Sequence, residues 1–471
     1  MTRTPLWFAI LPVAFLVTAL AINVNLFGDS SLDGSNQLIL LAAAGLTAGL
    51  AKLEGKAHKV WEGIQGTISD SSKAIFILLM VGALAGTWLV SGIIPTLIVY
   101  GLDLLSPSFF LPATVILCSI VSLATGSSWS TTATIGIALM GVGQGLGFSP
   151  GLVAGAVISG AYFGDKMSPF SDTTNLAPAM AGAELTTHIR HMAWTSGPAW
   201  LIALVAFFFI GLGGSGGEMS DLSAMSAEIQ ERFVISPWLL VVPLISISLI
   251  AFKTDAVVAM AIGALGGGLA ALIAQPDILF EIAGMAGSEG SYRALMQSMY
   301  GSVKLPMTSP LLNDLMSSSG MSGMLGTIWL ILCALAFGGA MEASGFLGRI
   351  TEAFLSLAES SFSLILTTLI TCGFINVSAS DQYLAIVVPG RMFKKAYQDR
   401  GLAPENLSRA LEDSGTVTSV LIPWNTCGAY QSGVLGVATG DYFAYAIFNW
   451  LSPLINMLWA AIGFKIPMRK T

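Results

Sequence analysis

Between Gly164 and Pro178 the chain reads GDKMSPFSDTTNLAP, a polar stretch set inside an apolar region. Asp165 and Asp172 supply carboxylates, Ser168, Ser171, Thr173 and Thr174 supply hydroxyls, and Asn175 supplies a carboxamide. Pro169 stands in the middle, where it removes a backbone donor, breaks a helical ladder and frees main-chain carbonyls. Carboxylates, hydroxyls and carbonyls are the ligands a small desolvated cation takes; the rule is stated for calcium and magnesium and extends to sodium. Asp172, Thr173 and Asn175 form the expected sodium set, with Ser168 beside them. Ser127 and Ser128 face them from an earlier polar interruption, TGSSWSTT (125–132). The plain alternative is that these groups only cap broken helix ends. Against it stands the expense of a carboxylate inside a membrane, where neutral caps would suffice.

Asp165 is the candidate proton carrier. A carboxyl group out of water favours its neutral form, whereas a bound sodium ion favours the charged one. One site then holds a proton or sodium but not readily both, which is the physical basis of exchange. The alternative for Asp165 is an ion pair with Lys166 or another base. Consecutive helical residues do not face one another, so pairing with Lys166 would require irregular backbone, and Lys166 is read as balancing charge. A second polar set lies in the second half of the chain. There Ser378, Ser380 and Asp381 of INVSASDQ (375–382) are set against Asn425 and Thr426 of LIPWNTCGAY (421–430). This is the second ion or substrate site. Trp129 and Trp424 flank the two centres as packing residues. Glu412 and Asp413, beside Arg409, are expected as a solvated ion-pair cluster at a helix end, and His188 and His191 as plain interface residues.

The elements that carry these groups are membrane spans. The 471 residues are 54% hydrophobic and only 10% charged, with a mean hydropathy of +0.77, whereas soluble domains carry roughly 25% charged residues. Runs of about 20 apolar residues can span a bilayer. Ten such runs are expected, at 6–22, 36–51, 74–94, 150–181, 193–213, 236–252, 255–274, 325–345, 410–438 and 441–463. Two more apolar regions, 109–143 and 362–392, are interrupted midway and are expected as re-entrant hairpins. With both re-entrant, the basic loops fall on one side, from Lys52, Lys56 and Lys59 to Lys465, Arg469 and Lys470, while 28–35 and 214–228 are acidic. The basic-loop rule then makes both termini cytoplasmic. Arg3 precedes an apolar run with no small-residue cleavage site, so the first span is retained.

The fold class expected is an all-α polytopic membrane protein built as an inverted-repeat secondary transporter. Residues 1–213 form the first repeat, with hairpin 109–143 and broken span 150–181. A linker occupies 214–235, and residues 236–471 form the second repeat, with loop 275–324, hairpin 362–392 and broken span 410–438. The intervals from Ser128 to Thr173 and from Ser380 to Asn425 are equal, at 45 positions. Four scattered cysteines make neither a disulfide frame nor a zinc site. No basic nucleic-acid patch, nucleotide-binding signature or nucleophile with a nearby base is present, so a non-enzymatic, gradient-driven carrier is expected.

At these residues the chain resembles the NhaC-type sodium/proton antiporter family, from about residue 74 to 463. The motifs that carry the resemblance are GAYFGDKMSPFSDTTNLAP (160–178), THIRHM (187–192), SDQYLAIVVPGRMFKKAY (380–397), LSRALEDSGTVTS (407–419) and LIPWNTCGAY (421–430). The resemblance implies a secondary transporter of the bacterial inner membrane that exchanges sodium for protons. By the same match, Asp165, Ser168, Asp172, Thr173, Asn175, Asp381, Asn425 and Thr426 are its binding residues. It also implies an alternative, sodium-coupled transport or exchange of a small organic acid (malate/lactate-like) or amino acid. The first tip reads GSSWST (126–131) where the family more often has GTSWGT, so Ser127 and Ser130 add or rearrange hydroxyls. No cofactor is expected. Sodium ions, protons and the lipid bilayer are the expected partners, with an organic solute in the alternative and a homodimer allowed.

Overall fold

Polar interruptions decide where the apolar helices of this chain stop. The computed structural model describes residues 4–27, 31, 34–104, 106–213 and 219–469. Arg3, Lys470 and parts of the acidic loops (28–30, 32–33 and 214–218) lie outside the described residues. Among those described, eight helices are long and apolar enough to cross a membrane. They are Leu6–Phe27, Ser35–Leu53, Ser72–Val90, Pro107–Thr125, Leu185–Gly213, Ala256–Ala274, Gly320–Ala343 and Ser361–Ser378. Six coincide with expected spans, and the other two are the first arms of the expected hairpins. The chain is an all-α polytopic membrane protein; its only sheet among the described residues pairs Val303–Lys304 with Ser317–Ser318.

Of the other four expected spans, two are interrupted, one is bent away from the helix before it and one is shorter than expected. Region 150–181 splits into Pro150–Met167 and Asp172–Ala181 around Pro169. Region 410–438 runs from helix Pro404–Ala410 through a π-helical turn, Leu411–Thr416, and the short turn Ser419–Leu421. It breaks at Pro423 and resumes as Thr426–Leu435. Region 236–252 is bent by 88° from the preceding helix, where Pro237 opens a new helical start. Region 441–463 yields the 16-residue helix Ile447–Ile462. The long loop 275–324 is largely helical, with Pro276–Ala283 and Gly287–Tyr300.

Both interrupted regions double back. In the first, Pro107–Thr125 ends at Gly126, and the chain returns through Ser128–Thr131, a π-helical turn and Ile137–Gly145. Phe110 near the start stacks on Phe148 just past the end, ring centres 5.7 Å apart. In the second, Ser361–Ser378 returns as Gln382–Asp399, and Thr368 and Tyr397 share a 3.1 Å hydrogen bond between the outgoing and returning arms. This return helix extends seven residues past the expected limit of 392.

Beside each hairpin runs a broken span. Gly160 packs on Val115 and Cys118, and Gly164 on Ser119 and Ser122, so the first hairpin arm and Pro150–Met167 run parallel. Ser414 Oγ donates to Leu369 O and Asn376 Nδ2 to Gly415 O, so the second pair is parallel as well. The far end of the first broken span meets the open end of the second hairpin, with Met180 against Gly390 and Lys394 against Gly182. The hairpins therefore open toward opposite ends of the bundle and present their tips to its middle.

Candidate functional site

The first tip turns at Gly126, whose φ of 71° lies in the left-handed region. A Cβ there would meet the Phe170 backbone at 2.6 Å, so glycine is required both for the turn and for the close approach of the first break. Ser127 then caps the returning helix, its Oγ accepting from Ser130 N at 3.2 Å. That places Ser128 at a helix N-terminus, where backbone donors are unsatisfied and a carboxylate is favoured. Asp165 fills the position: its Oδ2 accepts from Ser128 N at 2.9 Å and from Ser128 Oγ at 2.7 Å. Ser127 and Ser128 were expected to face Asp172, Thr173 and Asn175; the hydrogen-bond partner of Ser128 is instead Asp165, because the helix runs on to Met167 before it breaks.

The break itself is held by its own side chains. Ser168 Oγ donates to Leu123 O at 2.8 Å and accepts from Phe170 N. Ser171 Oγ caps the second piece through Thr174 N and lies 3.2 Å from Thr173 Oγ1. Thr174 Oγ1 reaches the carbonyls of Asp165 and Lys166. Asn175 Nδ2 donates to Pro169 O at 2.9 Å and Ser171 O at 2.7 Å, leaving its Oδ1 as the atom available to a cation. Asp172, at the first turn of the second piece, is exposed to the cavity, and its carboxylate makes no hydrogen bond or ion pair with the described residues. Of the expected sodium set, then, Asp172 stands free, while Thr173 and Asn175 also serve the break.

The second centre uses the same parts in a different order. Asp381 caps Gln382–Asp399 through Leu384 N at 3.0 Å, and its other oxygen lies 3.5 Å from Thr426 Oγ1. Thr426 N donates to Ser380 O at 2.9 Å. Ser380 holds a φ of 60°, strained for a residue with a Cβ. Asn425 Oδ1 accepts from Cys427 N, and its Nδ2 donates to Asn376 O. The hydroxyls of Ser378 and Ser380 are buried and have no hydrogen-bond partner among the described residues. A carboxylate thus sits on the tip in this half and on the broken span in the other.

Both centres open into one cavity of about 720 Å³. Ser127, Asp165, Asp172, Thr173, Asn175, Asp381 and Thr426 all line it. Ser128, Ser168, Ser378, Ser380 and Asn425 stand behind this wall. At the mouth Lys73 pairs with Asp255 at 3.0 Å, and its hydrogen bond holds the Asp255 carboxyl below the usual carboxylate range.

Aromatic residues join the halves. Trp129 stacks on Tyr430 with ring centres 3.9 Å apart, and Tyr430 Oη donates to Trp129 O at 3.0 Å. Trp424 Nε1 donates to Val377 O. Tyr430→Phe keeps the stack and loses the hydrogen bond, so stability is expected to fall by about 1 kcal/mol. Tyr430→Ala loses both, at about 3–5 kcal/mol by analogy with other aromatic truncations. Thermal unfolding in detergent measures the two.

The expected solvated cluster is not solvated. Arg409, at the end of helix Pro404–Ala410, and Glu412 and Asp413, on the π-helical turn that follows, are fully buried, because that turn is enclosed by both hairpin arms and the last helix. Asp413 pairs there with Lys166, and His188 Nδ1 meets Ser408 Oγ at 2.8 Å. Ser452 and Asn456 complete this network and were not anticipated. A signal for them exists: Asn449, Ser452 and Asn456 recur at three- and four-residue spacing on an otherwise apolar helix, one polar face of a membrane helix.

A profile described as the Na+/H+ antiporter family matches residues 160–464. The Na(+)/H(+) antiporter NhaC of Alkalihalophilus pseudofirmus is 34% identical, over 88% of this chain and 89% of its own. The chain belongs to the Na+/H+ antiporter family. Within it, the Malate-2H(+)/Na(+)-lactate antiporter of Bacillus subtilis is 36% identical over 98% of this chain and 94% of its own. The Arginine/ornithine antiporter ArcD of Halobacterium salinarum is 33% identical, over 98% and 93%. Antiporters of this family thus differ in the cargo their names carry.

Proposed function

We propose that this protein exchanges sodium for protons across the bacterial inner membrane, by alternating access between two inverted repeats with both termini cytoplasmic. The observation that carries the reading is the convergence of both hairpin tips and both broken spans on one cavity, which gathers Asp165, Asp172 and Asp381. Sodium enters from the cytoplasmic side and meets Asp172, Thr173 and the Asn175 carboxamide oxygen. A charged Asp165, held by Ser128, completes the attraction, and the proton it releases leaves by the same mouth. With sodium gone, the carboxyl takes a proton again, and the hairpin bundle returns relative to the outer helices.

A second reading, transport or exchange of a small organic acid or amino acid coupled to sodium, is favoured by the cavity's size. About 720 Å³ falls in the range of small-molecule sites, and the names of two relatives specify organic cargo. Proteoliposomes with sodium and pH gradients imposed separately distinguish the readings. Sodium-driven proton movement without added solute supports antiport, and a strict requirement for an organic solute supports the second. Asp172→Asn is expected to raise the KM for sodium about tenfold, in keeping with a partly hydrated carboxylate at high effective dielectric. Unchanged sodium-dependent proton movement in that variant would remove Asp172 from the site.

A further inference from the structure

The motifs GDKM (164–167) and LEDSG (411–415) meet where no water reaches. Lys166 and Asp413 are both 0% exposed and form an ion pair that joins the first broken span to the second. Asp413 is saturated with donors: its Oδ1 also accepts from Thr195 Oγ1 at 3.0 Å and Ser452 Oγ at 2.8 Å, and its Oδ2 from Asn456 Nδ2 at 2.7 Å. Lys166 Nζ donates further to Ser452 Oγ at 2.6 Å. Three elements of the bundle therefore close on one carboxylate carried by a fourth.

The pair lies one residue from Asp165. Successive helical residues point about 100° apart, so the Lys166 ammonium leaves the helix on the face away from the cavity while Asp165 faces it. A lysine side chain carries its charge on a flexible four-carbon stem, and the helix ends at Met167, the next residue, so loss of the anchor together with fraying of that last turn brings the charge round to the neighbouring carboxylate. An ammonium on Asp165 would occupy the place of the transported cation. A purely packing role explains the arrangement poorly, because buried ion pairs are often no more stabilising than apolar residues of the same volume. Glu412 is a second buried carboxylate nearby, and the ammonium is nonetheless placed on Asp413.

We propose that Asp413 is a positioning residue of the cation site: by anchoring the Lys166 ammonium on the far face of the broken helix, it keeps Asp165 free for the transported cation. This rests on the sodium/proton reading above, and the test separates the two. Sodium-dependent proton movement is measured in proteoliposomes for the wild type, Asp413→Asn, Lys166→Met and the double variant, alongside thermal unfolding. Asp413→Asn should raise the KM for sodium at least about tenfold. Lys166→Met, which removes the competing charge, should leave the KM within about twofold of wild type even as it lowers stability. The double variant should return the KM of Asp413→Asn to that of wild type. Equal destabilisation by the two single variants with unchanged KM overturns the proposal and leaves a structural pair. A rise of KM in Lys166→Met overturns it as well, whether or not Asp413→Asn accumulates as folded protein. A wild type without sodium-dependent proton movement overturns the functional reading instead.

Discussion

Asp165→Asn should lower sodium affinity by about a thousandfold and bring exchange at millimolar sodium below detection. Two unit charges about 4 Å apart attract by about 4 kcal/mol at the effective dielectric of a partly buried site, which is about a thousandfold in affinity. Asparagine is nearly isosteric and keeps an acceptor for Ser128, so the tip should stay docked and unfolding should change little. Ser128→Ala is the matched control. It keeps the charge and the backbone donor and loses one hydrogen bond to a charged group, about 1.5–3 kcal/mol. Its exchange should be weakened but measurable. Sodium titrations of proton movement in proteoliposomes read both variants. Wild-type behaviour in Asp165→Asn would move the proton-carrying role to the second half, where Asp381 lines the same cavity.

Gly164→Ala is expected to be nearly as damaging without replacing any polar side chain. A Cβ at Gly164 would lie 2.4 Å from Ser119 O, 2.6 Å from Ser122 Cβ and 2.7 Å from Leu123 N. Two of these are backbone atoms, so no rotamer change relieves the clash and the two parallel helices must separate. Overpacking of this kind costs about 1–3 kcal/mol. The larger effect is on position, because Asp165 is the next residue and meets Ser128 at 2.7 and 2.9 Å. A shift of about 1 Å at a reacting group can cost about a hundredfold in rate. Turnover should therefore fall far more than the unfolding temperature. Gly197→Ala, where a Cβ meets nothing within 4 Å, should leave both unchanged. Full turnover in Gly164→Ala would mean that the spacing between the two helices does not set the site.

Much of this architecture could be read in the sequence, because the signals involved are local. Apolar runs of the right length marked the spans, and Pro169 and the serine-rich tip marked interruptions that a membrane helix does not carry by chance. The lengths of the hairpin arms were less legible: the return arm of the second continues to Asp399 because Arg391, Lys394 and Lys395 are helix formers as well as charges. What the sequence could not give was pairing. Nothing local distinguishes Asp165 from Asp172 as the partner of Ser128; that depends on where the broken helix ends. Glu412 and Asp413 look like a surface cluster beside Arg409, since charged residues near a helix start are usually solvated. Their burial follows from three neighbouring elements that close over a π-helical turn, a tertiary effect with no signature in the motif itself. The polar face of Ile447–Ile462 was the one trace of it.

The stack of Trp129 on Tyr430 has a mechanical consequence. It couples the first hairpin to the second broken span, while Ser128 and Asp165 couple that hairpin to its own broken span, and Thr426 and Ser380 do the same in the other half. With Met180 of the first broken span packed against Gly390 of the second hairpin, these contacts form a closed circuit through all four irregular segments. A circuit of this kind does not let one gate flap while the other stays shut; tilting any member drags the rest. Compliance is therefore expected at the perimeter of the bundle, and the two polar centres are expected to keep their relative placement in any motion that alternating access requires.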